Sequence, residues 1–192
     1  VINGIILLNK YKFVTSNKIL TLLKRKLKLK KAGLLGILDP LATGILPIVI
    51  GEATKYIIYI ENNKKSYNVK CKLGVFSDCG DFESKPIEYH DEKIIIHNLQ
   101  EQTIKDTLAE FIGEYKQVPP MFSATKYNGK PLYSYARQNI EIYRESKKRQ
   151  IYEIKFISLK SDILEFSVVC SSGTYIRTLV QDISKKWHLH SC

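Results

Sequence analysis

Sulfur and indole are scarce in this sequence: one Met, one Trp and four cysteines in 192 residues. Cys71, Cys79, Cys170 and Cys192 form no CxxC pair. Such spacing argues against a zinc site or a disulfide framework and for a reducing, cytoplasmic setting. No run of about 18 apolar residues occurs, so no transmembrane helix and no membrane partner are expected. Residues 1–12 lack the apolar stretch and small-residue cleavage site of a signal peptide. Acidic residues are outnumbered as well, 19 against 30 basic ones, which leaves a net charge of +11. That excess favours a polyanionic partner, most simply nucleic acid, through phosphate neutralisation.

What is present is ordinary for a folded protein: 44% hydrophobic and 26% charged residues. The length suits one substantial domain, or one with a small appendage. There is no internal repeat, low-complexity tract or clear linker. The chain opens on Val1 and stops at Cys192, just after an apparent helix, and reads as a piece of a longer gene product.

Hydrophobic patterning predicts strands at 5–8, 45–50 and 67–73, and a hairpin from 150–159 and 162–170. Thr15-Ser16-Asn17 is suited to cap a helix that continues through Ile19, Leu20, Leu22, Leu23 and Leu27. Further helical spacing occurs at 100–112, at 174–187 and, briefly, at 132–139. These elements predict a mixed α and β (α+β) domain built around one large sheet. Lys24 to Lys31 carry six basic residues in eight. Runs of that kind are usually solvated faces, yet this one leads directly into the most unusual loop of the chain.

That loop reads Gly33-Leu34-Leu35-Gly36-Ile37-Leu38-Asp39-Pro40-Leu41-Ala42-Thr43-Gly44. Its glycines permit close approach of backbone to a ligand, and Pro40 stiffens the turn that presents Asp39. Asp before Pro also serves in plain surface turns, so the loop alone leaves catalytic and structural roles both open. Residues 117–144 interleave Tyr127, Tyr133, Tyr135 and Tyr143 with Lys126, Lys130, Arg137 and Arg144, a mixture suited to phosphate contact and base stacking.

The string from Gly36 to Gly44 resembles the signature of the TruB family of tRNA pseudouridine synthases. Five further stretches match that family in order: Gly51-Glu52-Ala53-Thr54-Lys55, Lys65-Ser66-Tyr67, Leu73-Gly74 with Ser77, Asp78 and Asp81, the run from Pro119 to Arg137, and Ser172-Gly173-Thr174-Tyr175-Ile176-Arg177-Thr178. The resemblance implies a pseudouridine-synthase-like domain across 1–192. Its large, mixed, mostly antiparallel sheet would be flanked by helices, with 117–144 as an RNA-gripping insertion.

The implied activity is isomerisation of a T-loop uridine of tRNA, uridine 55, to pseudouridine, without metal or cofactor. Asp39 would be the essential catalytic carboxylate. Arg177 would pair with it, and Tyr67 would stack on the target base. Tyr175 and Lys10 would line the same pocket. Lys126, Tyr127, Lys130 and Arg137 would contact the RNA, with Leu34 as a wedge where the family usually has a histidine nearby. The chain also differs from the family at Tyr11 and Phe13 and around Phe82-Glu83-Ser84. The family's paired-arginine segment after the Arg177 helix, and any C-terminal RNA-binding domain, are expected to lie outside these residues. The expected partner is the tRNA T stem-loop, bound by a monomer without a guide RNA. The competing reading is a non-catalytic tRNA-binding or RNA-folding protein on the same scaffold.

Overall fold

Thr15 caps the first helix: its hydroxyl accepts the Lys18 N–H at 3.2 Å and its backbone is extended. This is the N-cap arrangement that satisfies one otherwise orphaned helical donor. The computed structural model describes residues 2–60 and 64–192, which cluster into two units, Val1–Asn63 and Lys64–Cys192.

In the first unit, β1 (Gly4–Lys10) is followed by α1 (Ser16–Lys26), β2 (Ala32–Leu34), β3 (Gly44–Ile50), a 3-10 turn (Gly51–Tyr56) and the short α2 (Ile57–Ile60). The strand order is β1-β3-β2, all antiparallel, with Lys10 opposite Gly44 and Leu34 opposite Ile48. Period-2 alternation along β1 turns Ile6 and Leu8 toward Leu46, Ile48 and Ile50, with Val14 and Ile19 completing the core. Burying each such aliphatic side chain contributes about 1.5–3 kcal/mol.

The second unit runs β4 (Lys65–Lys72), β5 (Val75–Phe76), β6 (Ile87–Glu88), α3 (Lys93–Asn98), α4 (Glu101–Glu110), β7 (Gly113–Gln117), β8 (Lys126–Tyr127), β9 (Lys130–Pro131), α5 (Leu132–Ala136), β10 (Lys147–Lys160), β11 (Ile163–Cys170) and α6 (Ile176–Lys185). Its main sheet is antiparallel throughout in the order β4-β11-β10-β7. The β10–β11 hairpin closes through Ser161 and Asp162, with Ser161 at φ +55. Leu179, Val180 and Ile183 of α6, together with Trp187, bury one helical stripe against Ile104 and Leu108 of α4 and the sheet residues Leu164, Phe166 and Val168. The Trp187 indole N–H donates to Thr107 Oγ1 at 2.9 Å, which fastens the end of α6 to α4.

The α+β class and the antiparallel pairing agree with the sequence. The strands expected in one large sheet divide, among the described residues, into this four-stranded sheet and the three-stranded sheet of the first unit.

Candidate active site

Asp39 occupies the first position of a β-turn, closed by the Ala42 N–H donating to the Asp39 carbonyl at 3.0 Å. Asp at the first position and Pro at the second are the residues such a turn favours. The turn is pinned from three directions. Ser16 Oγ donates to the Leu38 carbonyl at 3.0 Å and accepts the Leu38 N–H at 3.1 Å. The Phe13 N–H donates to the Pro40 carbonyl at 2.9 Å. Lys10, with 0% of its surface exposed, donates from Nζ to the carbonyls of Tyr11 (3.0 Å), Pro40 (3.0 Å) and Ala42 (2.7 Å). The half-buried Asp39 carboxylate is therefore presented on backbone that is held on both sides.

Two features beside this loop escaped the sequence reading. Ser16 reads as a helix-start residue, and nothing in its spacing signals its clasp on Leu38. Phe13 has φ +67 and is 83% exposed, an unusual backbone conformation for an aromatic residue and one that tends to occur at functional sites. Leu34 lies in β2, partly buried against the core of its unit.

In the second unit, Tyr175 is the N-cap residue of α6 and Arg177 lies in the helix's first turn. Arg177 donates from Nη2 to the Phe122 carbonyl at 3.0 Å and from Nη1 to the Cys79 carbonyl. Its Nε stands 3.9 Å from Asp81 Oδ2, both side chains being largely buried. The 77–84 turn that supplies Cys79 and Asp81 is itself tightly bound. Ser77 Oγ donates to the Asp81 carbonyl at 2.6 Å, and the Ser84 N–H donates to Cys79 Sγ at 3.2 Å. The Glu83 N–H donates to Asp81 Oδ1 at 2.9 Å. Three fixed carbonyl and carboxylate partners thus orient one guanidinium, the fork geometry for which Arg is suited.

Tyr175 Oη lies 3.0 Å from Thr125 Oγ1. Tyr67 is a half-buried residue of β4, opposite Val168 and packed on the core of its unit. Tyr175 and Arg177 are therefore brought together with the root of the insertion.

The insertion itself carries a small hairpin, β8–β9. Asn128 and Gly129 connect its strands at φ +47 and +78, the Asn-Gly pattern that two-residue hairpins favour. Lys126, Tyr127, Lys130, Tyr133 and Arg137 are all exposed. The Arg137 guanidinium lies 5.4 Å from the centre of the Tyr133 ring, and Tyr127 meets Tyr135 edge-on at 6.0 Å. Basic and aromatic groups so combined can contact phosphates and stack on bases. Among the described residues, no three His, Cys, Asp or Glu side chains gather to hold a metal ion, and no helix is long and apolar enough to cross a membrane.

The first unit thus carries a pinned aspartate turn on an antiparallel sheet, and the second an α+β scaffold with a basic, tyrosine-rich insertion. Residues 24–176 match the family described as TruB family pseudouridylate synthase (N terminal domain). The chain is 44% identical over 184 residues to tRNA pseudouridine synthase B of Hydrogenovibrio crunogenus, covering 96% of this chain and 59% of that relative. It is 46% identical to tRNA pseudouridine synthase B of Mannheimia succiniciproducens, again covering 96% and 59%. A crystal structure of a Cbf5-Nop10-Gar1 complex is similar in fold, with a TM-score of 0.71 and 27% identity over 98% of this chain and 46% of that one. The chain belongs to the TruB family of pseudouridylate synthases. It spans somewhat under three fifths of the length of the curated relatives it matches.

Proposed function

We propose that this chain isomerises a T-loop uridine of tRNA to pseudouridine, with Asp39 as the essential catalytic carboxylate. The observation that carries the reading is the Asp39 turn, pinned by Lys10, Phe13 and Ser16, in a chain whose curated relatives are tRNA pseudouridine synthases. In the reaction the C1′–N1 bond breaks, the base rotates, and a C1′–C5 bond forms. A proton leaves C5 and one is gained at N1. Neither hydrolysis nor net redox change occurs, so the proposed chemistry needs no metal or cofactor.

A uridine within folded RNA must be extruded before any group can reach it. Unstacking costs a few kcal/mol, and stacking on an aromatic ring returns about 1–3. Tyr67 is proposed as that ring, with Tyr175 and Arg177 as further base-pocket residues; Lys10, fully buried, is proposed to act through the Asp39 turn it holds rather than by touching the base. Lys126, Tyr127, Lys130 and Arg137 are proposed to hold the T stem-loop, and Leu34 to act as the wedge. The proposed setting is cytoplasmic, and the proposed form is a stand-alone monomer without a guide RNA.

The test is pseudouridine formation in an unmodified tRNA transcript with chelator present, comparing the parent chain with Asp39→Asn. Product from the parent and none from the variant is the expected result. Equal product from both removes Asp39 from the chemistry. Binding of tRNA without product from either chain favours the RNA-binding reading instead.

A further inference from the structure

Gln117 is the last residue of β7, 1% exposed, at the point where the chain leaves the sheet for the insertion. Its carboxamide pairs with both backbone groups of Tyr175, a residue 58 positions away. Oε1 accepts the Tyr175 N–H at 2.8 Å, and Nε2 donates to the Tyr175 carbonyl at 3.0 Å. Only the amide oxygen can accept that N–H, so the pairing fixes which way the carboxamide faces. The Tyr175 carbonyl also takes the first helical bond of α6, from the Leu179 N–H at 3.0 Å. Gln117 therefore sets where α6 begins, and Arg177 follows two residues later.

The same two residues are touched by the insertion beyond Gln117. Phe122 supplies a carbonyl to Arg177, and Thr125 meets the Tyr175 hydroxyl. Residues 123–125 are in turn tied to the exposed hairpin and helix, through the Leu132 N–H to the Thr125 carbonyl (2.7 Å) and the Tyr133 N–H to the Ser123 carbonyl (3.1 Å). Behind Gln117, the Tyr115 hydroxyl is 3.5 Å from Nε2 and donates to Asp182 on α6. A residue that only filled space here would not need an oriented amide; this one fixes the register between insertion and helix.

We propose that Gln117 is a positioning residue, coupling the RNA-gripping insertion to the start of α6 so that engagement of RNA by the insertion sets Tyr175 and Arg177. The inference rests on the RNA-modifying reading above. The coupling is a contiguous hydrogen-bonded network of the kind that can carry energy between two sites.

Gln117→Ala and Gln117→Glu separate the possibilities. An ionised glutamate keeps the acceptor for the Tyr175 N–H but cannot donate to its carbonyl; a protonated one can do both. At pH 8 both variants should lose at least tenfold in kcat, with KM for tRNA within threefold of the parent. Burial at this 1% exposed position, facing a carbonyl, raises the pKa of a glutamate carboxyl, so lowering the pH to 6 should raise the kcat of Gln117→Glu relative to the parent severalfold and leave Gln117→Ala unchanged. Losses in KM alone, or a Gln117→Glu profile parallel to the parent's, overturn the proposal.

Amide hydrogen exchange gives a readout independent of turnover. In the parent, tRNA should protect both the 126–137 segment and the 172–179 segment. In Gln117→Ala it should protect only the first. Equal protection of 172–179 in the two proteins overturns the coupling even if both are active. Protection in the parent without any product would instead retire the catalytic reading and leave the coupling standing. No tRNA-dependent protection of 172–179 in the parent overturns the coupling whether or not product forms.

Discussion

The Lys10 ammonium donates to the Ala42 carbonyl at 2.7 Å, across the turn that carries Asp39. With the Tyr11 and Pro40 carbonyls as further acceptors, a fully buried positive charge finds three oxygens and holds the turn from beneath. Buried charge is tolerated only on such terms.

Lys10→Met keeps the aliphatic stem and removes the donors. The Pro40 carbonyl keeps the Phe13 N–H, while the Tyr11 and Ala42 carbonyls lose the Lys10 donor; at roughly 1–3 kcal/mol for each group left unsatisfied, a loss of about 2–4 kcal/mol is expected. Denaturant unfolding measures it, and hydrogen exchange at 38–43 should quicken in the variant. A stability within about 0.5 kcal/mol of the parent would mean that other groups hold the turn.

How far the sequence reached is visible in particular residues. The Thr15 cap, the hairpin turn at Ser161 and the apolar stripe of α6 follow from local chemistry, and each is found within a residue or two of its expected place. The three-residue β2 was hidden inside what read as loop, because Ala32-Gly33-Leu34 pairs through its backbone with β3 rather than through any side-chain pattern. Strand β7 was missed too: Gly113 and three polar residues in five give no strand signal, and its pairing with β10 supplies the reason it exists. Lys10 was legible as a basic residue near the site, yet its burial was not, since lysine is almost never fully buried without partners and two of its three partners are backbone oxygens some 30 residues away. Gln117 escaped for the same reason: its ligands are the main-chain groups of one distant residue.

Alkaline pH should destabilise the fold. Burial pushes the Cys71 thiol up to about 12 from an ordinary 9.0, with the nearby Cys192 adding to the shift. The Cys192 thiol is raised to about 11, chiefly by burial, and burial with the Asp182 carboxylate raises the Tyr115 hydroxyl. A folded-state value above the unfolded one contributes stability that is complete below the unfolded value. That stability is lost as the pH climbs toward the folded one. The loss should therefore begin above pH 9, at about 1.4 kcal/mol per pH unit for a fully buried thiol such as Cys71. Unfolding midpoints at pH 7, 9 and 10.5 test this. The midpoint should hold to pH 9 and then fall, and Cys71→Val should fall less steeply. A midpoint that is flat to pH 10.5 would contradict the assignment.

Gly80 separates strain from collision at the Arg177 turn. Its φ is +76, and a methyl group there would stand 3.3 Å from both Arg177 Cβ and Gln181 Nε2. Gly113 also has a positive φ, +108, but a methyl group there meets nothing within 4 Å. Substituting alanine at either position incurs backbone strain, on the order of 1–2 kcal/mol in the left-handed region. Only at position 80 must the Arg177 side chain or its carbonyl partner at Cys79 shift as well. Small displacements of positioned groups are costly to rate, up to about a hundredfold for 1 Å. Gly80→Ala should thus lower kcat for pseudouridine formation by tenfold or more, while Gly113→Ala changes stability with kcat within about twofold. Circular dichroism melts run beside the kinetics check that both variants are folded at the assay temperature. Equal kcat for the two, at matched stability, would mean that the fit of the 77–84 turn against Arg177 has no bearing on turnover.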